Sequence, residues 1–292
     1  MWRNGVGFMV FSFLCLISTT LLAINTSTFS PSEINTLVND VKVSGWSQAR
    51  KLELFSASKL GKMEDMIKVN VTEPIILTKD KYQHFLEKKA ISKAHEFRRK
   101  WRTVLARAET KYKVDLETIV AIILVETRFG QFVGKYPVLS VYASTYVDAK
   151  RLLEQKSNDL SAKLIKRVKR KRDWALGELR SLLTMKAKYQ MDILSLKGSY
   201  AGAFGLCQFL PSSFLSYSAK YVGKGKPDLF WEPDAIFSIG RYLSKHGYRA
   251  GKTLLSQRNK KAVRAYNNSD VYVDIVLGAA ERIKKKGLPK VR

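Results

Sequence analysis

The sequence predicts a mainly α-helical protein with few or no strands. Three observations carry that expectation. Seven consecutive apolar residues, Ile119 to Val125, run directly into Glu126, and Gly130 follows four residues later. An apolar run closed by a glycine reads as a buried helix and its end. Leu164, Ile165 and Val168 recur at helical spacing inside a segment, 163–172, where seven of ten residues are cations. No stretch is strand-rich, and no internal repeat is visible.

In chain order, Met1 to Asn4 carries one cation, Arg3, and Gly5 to Ala23 adds 19 residues without charge. This has the form of a secretory signal with a cleavage site after Leu21-Leu22-Ala23. The run is also long enough to stay in the bilayer as an uncleaved anchor. Cys15 follows Leu14, where a lipoprotein signal has a small residue, so no lipid anchor is expected. Residues 24–34 read as a polar tether, and 35–70 as weakly helical without a motif. Thr78-Lys79-Asp80 is expected to cap one long charged helix running through Phe85, Leu86, Ile91 and Ala94 toward Trp101 and Leu105. Val114-Asp115 resets the chain, with Asp115 as N-cap of the apolar helix.

Residues 150–190 form a basic helical stretch. It reads either as the solvated face of an amphipathic helix or as a contact for an anionic polymer or membrane. Further on, Gly198, Gly202 and Gly205 lie among Ser199, Ala201 and Ala203. Their spacing is not the dinucleotide fingerprint, and no Gly-Lys-Ser/Thr follows. Small residues let backbone approach another surface closely, for helix packing or for a groove lined by backbone and Gln208. Pro211 suits the first turn of the next helix. Residues 219–234 form a loop, a helix runs from Asp234 to His246 with Gly247 as its stop, and Ala265 to Ser269 introduces a C-terminal helix. Lys284-Lys285-Lys286-Gly287 reads as a frayed end.

Composition narrows the partners. The 292 residues are 46% hydrophobic and 26% charged, enough for one large domain or two smaller ones. Lys and Arg number 52 against 25 Asp and Glu, a net charge of +27. Such a surface seeks an anionic polymer or an anionic surface. Export argues against an intracellular nucleic-acid role, and few aromatics interleave the basic stretch for base stacking. With the N-terminal run removed, Cys207 is the sole cysteine, so no intramolecular disulfide forms. One cysteine with His84, His95 and His246 scattered makes no zinc site. Cys207 lies between apolar neighbours and reads as an inert buried thiol.

Glu126 is the most informative residue. Burial disfavours a charged carboxylate and raises its pKa. A carboxyl group still protonated near neutral pH can donate a proton to a leaving group. The alternative is a structural Glu that pairs with Arg128 or closes the helix.

Four segments then carry a resemblance: Val125-Glu126-Thr127-Arg128-Phe129-Gly130, Lys197-Gly198-Ser199-Tyr200-Ala201-Gly202-Ala203, Gln208-Phe209-Leu210-Pro211-Ser212-Ser213 and Tyr266-Asn267. Trp231 to Ile236 and His246-Gly247-Tyr248 add support in the right order. In these the chain resembles the membrane-bound lytic transglycosylase B family of bacterial cell-wall enzymes. The resemblance implies a lysozyme-like catalytic core with additional helical segments, acting on the glycan strands of peptidoglycan. It implies cleavage of the β-1,4 bond between N-acetylmuramic acid and N-acetylglucosamine without water, leaving 1,6-anhydromuramoyl ends. By motif match Glu126 is the single catalytic acid and base, and Ser199, Gln208, Tyr266 and Asn267 line the sugar groove, with Tyr272 a further groove residue. Most glycosidases use two carboxylates; here none stands beside Glu126, and Asp148 and Asp192 are unremarkable. A hydrolytic muramidase and a non-catalytic peptidoglycan-binding protein are the alternatives.

The implied organisation is a signal or anchor over 1–23, a tether and extension over 24–77, a catalytic domain over 78–282 with 150–190 as a basic insertion, and a basic tail over 283–292. It implies an exported, periplasmic protein, held at the inner membrane if the N-terminus is retained, with other cell-wall enzymes as further partners. The family's calcium loop follows the Pro-Ser-Ser helix. Here that stretch carries Lys220, Lys224 and Lys226 beside Asp228 and Glu232. Calcium takes six to eight oxygens, several of them charged. No metal and no other cofactor is therefore expected, with ammonium groups standing in for the ion.

Overall fold

The computed structural model describes residues 26–64, 66, 79–155, 161–251 and 253–285. The expected signal or anchor, the Thr78 cap and the tail beyond Lys285 lie outside them. Among the described residues there are eleven α-helices and two short ribbons of two strands each. No helix there is long and apolar enough to cross a membrane.

From Thr26 on, the tether expected over 24–34 is regular structure, and the weakly helical 35–70 does contain helix. Strand β1 (Thr26–Ser27) pairs antiparallel with β2 (Lys62–Met63), enclosing α1 (Pro31–Asp40) and α2 (Gln48–Phe55). Helix α1 has a capping box: Glu33 N donates to Ser30 Oγ at 3.3 Å and Ser30 N donates to Glu33 Oε2 at 2.9 Å. Pro31 occupies its first turn. Leu37, Val38, Leu54 and Phe55 are buried in the main core. A few buried apolar residues fold a segment whose average composition is polar, while Leu52 stays exposed.

The single long helix expected from Thr78 is three elements. A 3-10 helix covers Lys79–Leu86, α3 covers Lys88–Lys100 and α4 covers Arg102–Tyr112. Trp101, at φ −106° and ψ 23°, is the break. The bend lets α3 pack on α5 (Leu116–Thr127) and α11 (Asp270–Lys285), while α4 packs on α5 and α9 (Glu232–Lys245). A straight rod could not serve both sets of neighbours.

Helix α5 is the centre of the protein. All its residues from Glu117 to Thr127 are buried. Asp115 is its N-cap by position, but its carboxylate does not bond the helix. It accepts from Tyr248 Oη at 3.0 Å and lies 3.4 Å from Lys284 Nζ. The cap is displaced by a partner 133 residues away.

Helices α6 (Val138–Glu154) and α7 (Ala162–Tyr189) form an antiparallel hairpin. The 150–190 stretch is only partly an addition to the core. Its C-terminal half buries Ala175, Leu179, Leu182, Leu183 and Met185 in the main core. Its N-terminal half contributes Val168 to a small separate cluster with Ala149, and Lys163, Lys166, Lys169 and Arg170 face solvent. Strands β3 (Tyr136–Pro137) and β4 (Lys197–Gly198) tie the start of α6 to the small-residue loop. Helices α8 (Pro211–Tyr217) and α10 (Gln257–Tyr266) complete the shell.

Candidate active site

Helix α5 ends abruptly, and that end places Glu126. Arg128 N donates to Leu124 O at 2.9 Å and Phe129 N to Ile123 O at 3.3 Å, a Schellman-type closure. Arg128, Phe129 and Gly130 then take positive φ of 48°, 61° and 88°. The backbone turns away at once, so no further helical turn covers the Glu126 carboxylate. Thr127 Oγ1 lies 3.3 Å from Leu206 O and accepts from Gly130 N at 3.1 Å. It pins this end to the small-residue loop.

Glu126 is 2% exposed. Tyr272 Oη donates to its Oε1 at 2.6 Å, while Oε2 has no hydrogen-bond partner among the described residues. Burial pushes its pKa up to about 8, against the lowering effect of the Tyr272 hydrogen bond. A carboxyl group in this state is largely protonated at neutral pH, with one oxygen held and the other unengaged. Tyr82 comes from the 3-10 helix, and burial followed by the Glu126 charge raises its phenol. Arg128 does not pair with Glu126. Its guanidinium reaches His84 Nε2 at 3.0 Å and lies over the Phe85 and Phe132 rings. The structural reading of Glu126 as an Arg128 partner is thereby removed.

The other expected residues converge on the same region with distinct geometry. Ser199 is fully buried; its Oγ accepts from Ala203 N at 3.2 Å, and its backbone N donates to Ala203 O at 2.7 Å. It closes the turn 199–203. Gln208, at φ 46°, donates from Nε2 to Val133 O at 3.2 Å and Gly205 O at 2.9 Å. It braces two backbone segments against each other. Tyr266 Oη donates to Cys207 O at 2.6 Å, and its ring stacks on Tyr272 at 6.4 Å between centroids. Asn267 caps α10 with its backbone, and its side-chain amide makes no hydrogen bond to a described residue. Burial raises the Cys207 thiol far above its ordinary range, consistent with an inert side chain.

Gly202 in this loop and Gly134, which faces it from before β3, both lack room for a side chain. Gly202 has φ +78°, and a Cβ there would lie 2.3 Å from the Tyr142 ring. Gly134 has φ +90°, and a Cβ would lie 2.0 Å from the Gly198 carbonyl carbon. These approaches seat the loop against α6 and the β3–β4 ribbon.

No second carboxylate contributes to the Glu126 shift. Asp148 is pushed up to about 6 by burial, but it pairs with Arg151 at 3.2 Å and lies 3.9 Å from Lys62. Asp192 accepts from Leu194 N and Ser195 N within its own turn. Glu178 is buried and accepts from Ser212 N at 2.9 Å and Ser212 Oγ at 2.7 Å, anchoring the start of α8. Sequence reasoning did not find roles for Thr127, Tyr82 or Glu178; Thr127 lay inside a quoted motif, while the other two had no local signal.

The loop where the resemblance implies calcium does not fit that ion. Asp234 accepts Tyr221 N at 2.8 Å on one oxygen and Asp228 N at 2.9 Å on the other, with Lys220 Nζ at 3.9 Å. Asp228 Oδ1 accepts from Phe230 N. Both Asp234 oxygens and Asp228 Oδ1 are taken by backbone donors, with an ammonium group beside Asp234. Elsewhere Glu109, Asp115 and Glu117 bring carboxylate oxygens within 4.8 Å of one another. Each is already engaged, by Leu116 N, Tyr248 and Arg98 respectively.

Comparison with known proteins gives this geometry a family. A model described as the transglycosylase SLT domain matches residues 28–257. Membrane-bound lytic murein transglycosylase B of Escherichia coli K12 is 36% identical over 167 residues, 57% of this chain. The match spans only 41% of that relative's length. Soluble lytic transglycosylase SltB1 from Pseudomonas aeruginosa superposes with a TM-score of 0.71 at 24% identity, over 87% of this chain and 99% of that one. Escherichia coli lytic transglycosylase Slt35 in complex with calcium gives 0.69 at 22% identity, over 87% and 92%. SltB3 from Pseudomonas aeruginosa in complex with NAG-anhNAM-pentapeptide gives 0.70 at 18% identity, over 87% and 79%. At these identities the structural likeness is one of fold. The matched domain opens at residue 28, well before the expected boundary at 78, in line with the burial of Leu37, Val38, Leu54 and Phe55.

Proposed function

The chain belongs to the transglycosylase SLT domain family, and on that premise we propose that it is a lytic murein transglycosylase. It cleaves the β-1,4 bond between N-acetylmuramic acid and N-acetylglucosamine and leaves a 1,6-anhydromuramoyl end. The observation that carries this reading is Glu126: a buried acid with one oxygen held by Tyr272, one unengaged, and no second carboxylate acting on it.

The chemistry follows from that isolation. Protonated Glu126 gives its proton to the glycosidic oxygen as the bond breaks. The substrate's own N-acetyl oxygen attacks the anomeric carbon, so no protein nucleophile is needed. Glu126, now a carboxylate, takes the proton of the muramic 6-hydroxyl as that oxygen attacks the anomeric carbon, breaks its bond to the N-acetyl oxygen and closes the anhydro ring, which restores the N-acetyl group. The proton count is restored, and water is not consumed. Tyr272 steadies the carboxylate in the second half by donating to it. The unengaged amide of Asn267 is the group suited to hold the N-acetyl arm. Ser199 and Gln208 act through the turn and the backbone junction they close. The anhydro sugar bound to SltB3 is the product type this route forms.

The same reading makes the protein an exported cell-envelope enzyme of the periplasm, its substrate the glycan strands. Mass spectrometry of products from purified sacculi tests it. Anhydro ends are expected. Reducing muramic acid ends would instead mean a hydrolytic muramidase, and no release by an intact fold would mean a binding protein.

A further inference from the structure

A cavity of about 480 Å³ opens where the C-terminal ends of α4 and α9 meet the loop after α8. Lys111, Lys220, Lys224, Arg241 and Lys245 line it, and no carboxylate does. Beneath the lining, Asp234 is fully buried and lies 3.9 Å from Lys220, so it offsets at most one of these charges. Arg241 Nη1 donates to Ser218 O at 3.1 Å, and Lys111 Nζ rests over Tyr112 and Phe237. Lys224 and Lys245 are exposed and make no hydrogen bond or ion pair with a described residue. Ser244, one turn from Arg241 on α9, adds a hydroxyl.

A second cavity of about 500 Å³ adjoins the first through Lys111 and runs along α4. Arg102 and Arg107 line it, again with no carboxylate. The positive strip is therefore continuous. Lys111 and Tyr112 of the first cavity lie just before the start of α5, and Glu126 lies near the other end of that helix, about 15 Å along it at about 1.5 Å per residue. Glu126 lines neither cavity.

We propose that this cavity is a binding site for a phosphate-type polyanion. A single carboxylate would leave most of the converged charge unanswered. A phosphate or diphosphate presents several acceptor oxygens and more than one negative charge in a compact group, which suits Arg and Lys donors arriving from several directions. The loop that the family resemblance would give to a cation has become a receptor for an anion. This site is independent of the transglycosylase reading.

The test is calorimetric titration of the full chain with inorganic pyrophosphate, alone and after the double change Lys224→Glu with Lys245→Glu. Both residues are exposed, so the fold and the glycan activity are expected to persist. Saturable binding is expected, weakened at least about tenfold, or about 1.4 kcal/mol, by the double change. Absence of saturable binding overturns the proposal, as does an unchanged affinity in the double variant or citrate binding as tightly as pyrophosphate. Vesicles of phosphatidylglycerol in phosphatidylcholine distinguish the source. Sedimentation with them, lost in the double variant and blocked by pyrophosphate, assigns a lipid headgroup. Pyrophosphate binding without vesicle binding assigns a soluble phosphate.

Discussion

Replacing Glu126 with Gln is expected to make the protein more stable in alkaline solution. The pKa of the Glu126 carboxyl is raised from 4.5 to about 8 by burial. Between those two values the folded state holds a proton that the unfolded state has released. Stability from this group is therefore complete below pH 4.5, falls as pH rises, and levels off above about pH 8. The window from 4.5 to about 8 spans about 3.5 pH units, and at about 1.4 kcal/mol per unit the full effect is about 5 kcal/mol. Gln has nearly the same shape, still accepts from Tyr272 and never ionises, but it buries an amide of its own. A net gain of about 2–3 kcal/mol at pH 8 is expected, which raises Tm by about 5 °C in a chain of this size. At pH 5 most of the ionisation term is gone while the cost of the buried amide remains, so the variant should be about 1 kcal/mol less stable than wild type. Thermal unfolding of both proteins at pH 5 and pH 8 is the assay, and every other titrating group cancels in the difference. A variant no more stable than wild type at pH 8, or one with the same gain at both pH values, would refute the reasoning.

Three further outcomes follow from the site. Tyr272→Phe removes a hydrogen bond that favours ionised Glu126. Such a bond to a charged group is worth about 1.5–3 kcal/mol, so the alkaline limb of kcat/KM should move up by about 1–2 pH units; a limb that stays or moves down contradicts this. Gly202→Ala forces a Cβ toward the Tyr142 ring at φ +78° and should lower stability by about 2 kcal/mol or more, read by urea unfolding. Calcium at millimolar concentration should leave Tm unchanged, whereas Lys220→Met should lower it by removing the ammonium beside Asp234; stabilisation by calcium would overturn the account of that loop.

What was legible in the sequence was what is local. The apolar run before Glu126, the small-residue turn and the Tyr266-Asn267 pair each write their environment into neighbouring positions. Pro211 and Gly247 marked helix ends for the same reason. The missed features are held by partners distant in sequence. Tyr272 reaches Glu126 across 146 residues, and Tyr248 takes Asp115 from its cap across 133. The break at Trp101 has no Pro or Gly to announce it; it follows from the two sets of helices that α3 and α4 must meet. Residues 24–34 looked like a tether because their few apolar side chains sit in polar surroundings, whereas the weak helical pattern of 35–70 is met by regular helix. Nothing local says that Trp46 Nε1 will donate to Leu183 O or Met63 N to Ser144 Oγ. Ser199 and Gln208 were read as groove residues by motif, while in the structure their polar atoms bond backbone at Ala203 and Gly205.

The central claim is that one buried carboxyl, acting first as acid and then as base, breaks the glycan without water. Mass spectrometry of sacculi digested by the wild type and by Glu126→Gln tests it most directly. The account predicts 1,6-anhydromuramoyl products from the wild type and none from the variant. Reducing muramic acid ends from the wild type, or undiminished anhydro products from the variant, would contradict it.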